Sequence, residues 1–365
     1  MIINRAFYRE AAVTTIGIAV VLLIVMTMMN LTLLLGRAVR GGTSESVLYI
    51  LLGYQMLGKI DILLPLAFYL GVLLTLSRWY RDSEMTVLAA CGVGLTHFLR
   101  PVMLIGMTVG LVVLVASFYA TPLAQRQIEK VKAESSQRTE PGKVAPGVFT
   151  ESPGTGRIFY AEKIRGNGEL ERVFVSSLEE DGQGVLVAKS GYPFTDAKTG
   201  DKFVALKEGT LYEGEPGAAN YRILEFGVYN LRIEPKLIDE PEVPMSGLPN
   251  MSLLGRLGNP EANAELHWRL GKTIVLFVLA LFAMAFAYTD VRRGRMSNFF
   301  VAIVIYFVYS NLLGIGETML QNGSIPAALG LWWIHGGMGL VAAYLLWQRQ
   351  CNRPLFVFSM RSRRA

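Results

Sequence analysis

Long apolar blocks occupy both ends of the chain, and short alternating runs occupy the middle. Between Glu10 and Arg37 lie 26 residues without a charge, which at about 1.5 Å per residue cover a hydrocarbon layer of ~30 Å as a helix. That block is too long for a signal-peptide core and no small-residue cleavage site follows it, so it reads as a retained span. Ser46 to Ser77 is interrupted only by Lys59 and Asp61 and contains Pro65; its embedded part is expected from Ile62 to Ser77, after a partly embedded turn. Pro101 to Gln125 is uncharged, and apolar stretches resume at Thr273 to Thr289, Met296 to Gly316 and Ala328 to Trp347. The pattern predicts an α-helical membrane protein with six transmembrane helices and both termini on one side.

From Thr121 to Ala262 the character changes, with 17 Lys and Arg against 21 Asp and Glu and apolar runs broken by Gly and Pro. Leu123 to Ser136 continues the third span as a helix. Beyond it the hydrophobic period drops to two in Arg157–Ile164, Glu171–Leu178, Val185–Ser190, Lys202–Glu208 and Tyr221–Ile233. These runs are rich in Val, Ile, Phe and Tyr and are separated by Gly-containing turns, the pattern of a compact antiparallel sandwich or jelly roll. The expected organisation is residues 1–120 for helices 1 to 3, 121–262 for an all-β jelly-roll domain with a helical lead-in, inserted between helices 3 and 4, and 263–365 for helices 4 to 6 and a basic tail.

Composition agrees, with 52% apolar residues and 18% charged. A net charge of +6 is too mild for a disordered chain or for one that coats nucleic acid. Its distribution says more. With the N-terminus in the cytoplasm, the inner ends carry 13 arginines: Arg5, Arg9, Arg78, Arg81, Arg100, Arg292, Arg293, Arg295, Arg349, Arg353, Arg361, Arg363 and Arg364. The short outer connections hold Arg37 and Arg40, with Lys59 at the entry to the second span. Because short cytoplasmic loops are enriched in Lys and Arg, this puts the acidic β insert outside the cytoplasm. Cys91 and Cys351 then lie on the reducing side, and two cysteines with three histidines suggest neither a disulfide framework nor a metal cluster.

Enzyme signatures do not survive inspection. Leu270-Gly271-Lys272-Thr273 ends like a phosphate-binding loop, but the upstream glycine position is Leu266. Lys272 instead reads as a lysine just inside the fourth helix, its stem along apolar surface and its ammonium at the interface. The pairs Gly92/Gly94, Gly166/Gly168 and Gly314/Gly316 lack the third glycine of a dinucleotide fingerprint, and His97, His267 and His335 fall in different spans or span ends without a nucleophile at useful spacing. Asp61 and Glu317 are acids near predicted outer ends. Gly106 and Gly110 form a G-x-x-x-G that permits close helix approach, and Trp79, Trp332 and Trp333 stand where aromatic belts are expected.

The loop Arg78-Trp79-Tyr80-Arg81-Asp82-Ser83-Glu84-Met85-Thr86-Val87-Leu88-Ala89-Ala90-Cys91-Gly92 is the most informative polar stretch. Asp82 or Ser83 can cap a short helix, Glu84 suits its first turn, and Gly92 supplies a stop. By composition alone it is equally a plain connector. The start Met1-Ile2-Ile3-Asn4-Arg5-Ala6-Phe7-Tyr8-Arg9-Glu10, the stretch Leu63-Leu64-Pro65-Leu66-Ala67-Phe68-Tyr69-Leu70-Gly71, this loop, and Ala264-Glu265-Leu266-His267-Trp268-Arg269 occur in that order. Together they resemble the LptF/LptG family of lipopolysaccharide export permeases over the whole chain. The N-terminal motif and the Ala-Cys-Gly after the loop resemble its LptF side, and His267 departs from the Asn often seen there.

The resemblance implies one permease of a heterodimer with an LptG-like partner in the Gram-negative inner membrane, the β domain being periplasmic. Two copies of a cytoplasmic ABC ATPase would bind below and use ATP and Mg; this chain itself has no Walker motif, no cofactor and no catalytic residue. A single-span LptC-like protein with its own jelly roll would receive lipopolysaccharide. Residues 82–92 would be the coupling helix, with Arg81, Asp82, Ser83, Glu84 and Met85 at the ATPase and Glu84 making the charge-assisted contact. Arg37, Arg40 and Lys59 are the candidate headgroup contacts, or else lipid anchors. Phe299, Phe300, Ile303, Phe307 and Leu312 form a greasy face that family analogy places at a lateral gate, or else plain lipid-facing surface. A secondary transporter and a membrane-anchored scaffold are the competing classes.

Overall fold

The structure, a computed structural model, describes residues 2–39, 45–138, 146–152, 157–166, 168–179, 182–196, 201–214, 222–233, 243–288 and 296–351. In chain order the helices are α1 (Ile2–Val39), α2 (Glu45–Leu57), α3 (Ile60–Arg81), α4 (Glu84–Ala90), α5 (Leu99–Val115), α6 (Thr121–Arg138), α7 (Asn250–Leu254), α8 (Pro260–Phe286), α9 (Met296–Gln321) and α10 (Trp332–Gln350). The chain divides into two compact units, one made of Met1–Met28, Gly53–Gln127 and Val243–Ala365, the other of Met29–Leu52 and Ile128–Glu242.

Five segments of the described residues are long and apolar enough to cross a membrane: Ile2–Gly36, Ile60–Arg81, Leu95–Ala133, Pro260–Phe286 and Phe299–Gln321. The 19-residue α10 is not one of them, since Gly336, Gly337, Gly339, His335, Gln348 and Arg349 dilute its apolar content. The second apolar stretch is not a turn followed by a span but two helices, α2 and α3, parted at Gly58 and Lys59. Pro65 is buried within α3.

In the helical unit, α3 and α8 supply much of the buried core, including Phe68, Leu73, Leu76, Leu276, Leu279 and Phe282. Lipid is as apolar as these side chains, so close packing and small residues hold such helices together. The G-x-x-x-G of α5 meets that requirement: a Cβ on Gly106 would stand 3.3 Å from the Phe277 ring, and one on Gly110 3.4 Å from the same ring. Between α1 and α3 the approach is closer still, because a Cβ on Gly71 would stand 2.9 Å from the Thr15 Cα. The start of α8 is specified locally, with Pro260 in its first turn and the Asn259 side chain accepting from the Glu261 amide at 2.8 Å. Trp79, expected in an interface belt, is only 3% exposed and packs edge-on against Phe7 and Phe98.

Among its described residues the other unit contains one antiparallel sheet of six strands, β1 (Thr150–Ser152), β2 (Arg157–Ile164), β3 (Leu170–Glu179), β4 (Gly182–Thr195), β5 (Lys202–Glu213) and β6 (Arg222–Ile233). They pair strictly in sequence order, so the described strands form a meander without the crossing connections of the jelly roll expected. Alternation buries one side: Ala161, Leu170, Val173, Val175, Leu186, Ala188, Val204 and Leu206 make a single cluster. Gly209 lies opposite Phe226 across β5 and β6, where any Cβ would stand 2.5 Å from that ring. The glycine therefore admits the aromatic onto the sheet.

Candidate functional site

The end of α3 carries a charged elbow. The Arg78 guanidinium donates to both carboxylate oxygens of Glu10 on α1, and Trp79 Nε1 donates to the same carboxylate at 2.8 Å. Arg78 Nη1 also reaches Asp82 at 3.2 Å and Glu84 at 3.5 Å, while Arg81 Nε meets Asp82 at 3.3 Å. Ser83 follows with φ of 63°, a left-handed residue that turns the chain from α3 into α4. Neither Asp82 nor Ser83 caps α4 through its side chain; Asp82 is taken by the two arginines. Gly92, with φ of +82°, stands just beyond the end of α4.

Only Met85 of α4 is buried, at 2% exposure, and it anchors the helix to the core. Glu84, Thr86, Val87, Ala89 and Ala90 face outward, Val87 at 62% exposure. Such a surface can present one carboxylate beside a small apolar knob to a basic, grooved partner. It holds no nucleophile and base for chemistry.

Of the expected rim cations, only Lys59 has a described side chain. Lys59 is exposed in the turn between α2 and α3; Arg37 falls in the last turn of α1 with its side chain outside the description, and Arg40 lies outside the described residues. The α9 group divides. Phe300, Ile303 and Phe307, at i, i+3 and i+7, are 66%, 42% and 66% exposed and share one face, whereas Phe299 and Leu312 are half-buried against the core.

A buried polar network was not foreseen from the sequence. Asp61, wholly buried, accepts from Lys272 Nζ at 2.6 Å and from Thr121 Oγ1 at 2.8 Å. Lys272 thus turns inward to a carboxylate rather than reaching an interface, because a charge in that setting is costly unless paired. One turn earlier on α8, Arg269 is 1% exposed and its Nε bonds Glu265 at 2.7 Å. The available signal was a lysine and an arginine three residues apart at the head of an apolar helix, with an aspartate in another apolar stretch; sequence separation hid the pairing.

The β unit adds a small apolar pocket lined by Phe159, Ala161, Leu170, Val173, Val204 and Leu231 among others. On its surface Lys189 and Glu208 bond at 2.8 Å between β4 and β5. That hydrogen bond and the charge attraction raise the lysine above its ordinary pKa and hold the glutamate below its own. Among the described residues no cluster of His, Cys, Asp and Glu could hold a metal ion.

Residues 5–348 match the family described as lipopolysaccharide export system permease LptF/LptG. The lipopolysaccharide export system permease protein LptF of Escherichia coli K12 is 26% identical over 345 residues, covering 92% of each chain, and LptF of Shigella flexneri matches to the same extent. A match spanning α1 to α10, on a chain with several membrane-capable helices and a separate antiparallel sheet, means that the protein belongs to the LptF/LptG family of lipopolysaccharide export permeases.

Proposed function

We propose that this chain is the LptF-type half of an ATP-driven exporter that extracts lipopolysaccharide from the inner membrane. In this reading six helices span the bilayer, both termini face the cytoplasm, and the β unit is a periplasmic module. An LptG-like permease pairs with it, two copies of an ABC ATPase dock from the cytoplasm using ATP and Mg, and a single-span LptC-like protein accepts the lipid. The observation that carries the reading is α4 itself, a short exposed helix anchored by Met85 and presenting Glu84 and Val87 at the end of a buried span.

Each part has a task. Closure of the ATPase dimer would push on α4, and the Arg78–Glu10 bridge would pass the push to α1. The exposed Phe300, Ile303 and Phe307 would meet acyl chains or the second permease, and Arg37, Arg40 and Lys59 would attract the lipid A phosphates. The apolar face of the sheet would take acyl chains, and the edge strand β6 would offer its backbone to the next protein by β-augmentation.

The test is purification of the tagged full chain from its native membrane in mild detergent, followed by mass spectrometry. An ABC ATPase and a second permease should co-purify, and Glu84→Ala should lose the ATPase while keeping the permease. A chain that purifies alone, or a Glu84→Ala variant that retains wild-type ATPase, overturns the proposal.

A further inference from the structure

The Glu265-Leu266-His267-Trp268-Arg269 stretch has no role in the reading above, yet it holds the most buried cation of the described residues. Arg269 spends its donors on three pieces of chain. Its Nε bonds Glu265 one turn back; its Nη1 bonds Asn250 Oδ1 at 2.5 Å; its Nη2 bonds the backbone carbonyls of Ser246 at 3.1 Å and Leu248 at 3.0 Å. The Arg269 carbonyl in turn accepts from Ser117 Oγ at 3.2 Å, and Asn250 Nδ2 donates to the Phe118 carbonyl at 2.9 Å.

Ser117 and Phe118 belong to a π-helical turn, Ala116–Ala120, that joins α5 to α6. Such a turn loosens the regular backbone ladder, and these turns concentrate at functional sites. It begins the outgoing connector that leads toward residue 128, and residues 243–250 form the return connector from residue 242. Arg126 Nε bonds the Gly247 carbonyl at 2.5 Å, and Thr121 bonds Asp61 beside Lys272. The return connector has little apolar anchorage of its own, with Gly247 its one buried residue. Polar bonds centred on one guanidinium therefore hold it.

We infer that Arg269 is a positioning residue that locks the outgoing and return connectors to α8, so that both ends of the segment 128–242, which carries the strands, are held by one helix. In an exporter this would tie movement of the helices to movement of the module that hands the lipid on; that consequence rests on the proposed function, whereas the lock itself does not.

A disulfide reads the lock directly. A Cβ on Gly247 would stand 3.5 Å from the Gln125 Cβ, within the range a disulfide spans, once the nearby Val243 methyl rotates away. Gln125→Cys with Gly247→Cys is made in the full chain, with the exposed Cys91 and Cys351 changed to serine, and oxidation is followed in native membranes. The pair should close readily with Arg269 present and about tenfold more slowly in Arg269→Ala, because the connectors part more often. Should Arg269→Ala not accumulate, Asn250→Ala, which keeps the Glu265–Arg269 pair, must show the same slowing. Equal rates with and without the clamp overturn the lock.

Transport is the second arm. Arg269→Ala should lose lipopolysaccharide transfer, oxidation of the cysteine pair should restore it, and a reductant should remove it again, a reversal that a folding defect would not show. Normal transfer despite slowed cross-linking overturns the coupling role. Slowed cross-linking in a chain whose wild type moves no lipopolysaccharide retains the lock and sinks the exporter reading alone.

Discussion

Two pairs of helices in this chain are comparably apolar and yet live in different surroundings. In the most apolar stretches of α3 and α8, 67% and 61% of residues are buried, against 6% in α1 and 22% in α9. What separates them is not hydropathy but fittings: α3 and α8 carry Asp61, Gly71, Arg269 and Lys272, each matched to a partner on another element, whereas the exposed faces of α1 and α9 carry Ile, Val, Leu, Met and Phe. In a bilayer an apolar face is satisfied by lipid or by protein alike, so it does not choose. Small and polar residues choose, because glycine permits a neighbour and a buried charge requires one.

The contrast is broken most severely at its charges. Lys272→Ala leaves the wholly buried Asp61 unpaired and should destabilise the protein by about 3–5 kcal/mol, seen as lost accumulation or a much lower Tm; adding Asp61→Leu should recover most of it. Next comes the close approach. Gly71→Val drives a side chain into Thr15 and should cost about 1–3 kcal/mol, read as a lower Tm and as loss of a disulfide engineered between α1 and α3. The mirror experiment, Gly17→Ala on α1, meets nothing within 4 Å and should raise the Tm slightly, by no more than about 1 kcal/mol of helix propensity. Smallest of all on stability is Phe307→Ala on the exposed face of α9, within about 0.5 kcal/mol, yet it should lower recovery of the second permease in a pull-down. A Tm that falls as far for Phe307→Ala as for Gly71→Val would mean that α9 is packed like α3.

The same contrast explains what the sequence made legible. Period-two runs marked the strands, since alternation is a local property: β2 lies where expected, β3 and β6 differ from the expected runs by one residue at one or both ends, and β4 and β5 run as far as five residues beyond them. The three-residue β1 has too little alternation to be read, and strand order is not written in periodicity, which is why a meander stands where a jelly roll was expected. Gly92 was readable as a stop beyond α4 because a left-handed residue favours glycine, while the left-handed Ser83 carried no such mark. In α9 the chain is apolar all round, so nothing local distinguished Phe299 and Leu312, turned to the core, from Phe300 and Phe307. The Asp61–Lys272 pair joins positions separated by 211 residues, and a single chain's order does not reveal such partners.

The π-helical turn at Ala116–Ala120 has one more consequence. A π turn holds a residue more than the α-helix it interrupts, so it acts as a phase shifter: everything after it is rotated by about 100° from where an unbroken helix would put it. Thr121 reaches Asp61, and Arg126 reaches Gly247, from the shifted phase. This span is therefore counted as well as measured. Removing one residue between Ala116 and Ala120 would shorten it trivially and still turn its whole downstream face away from its partners.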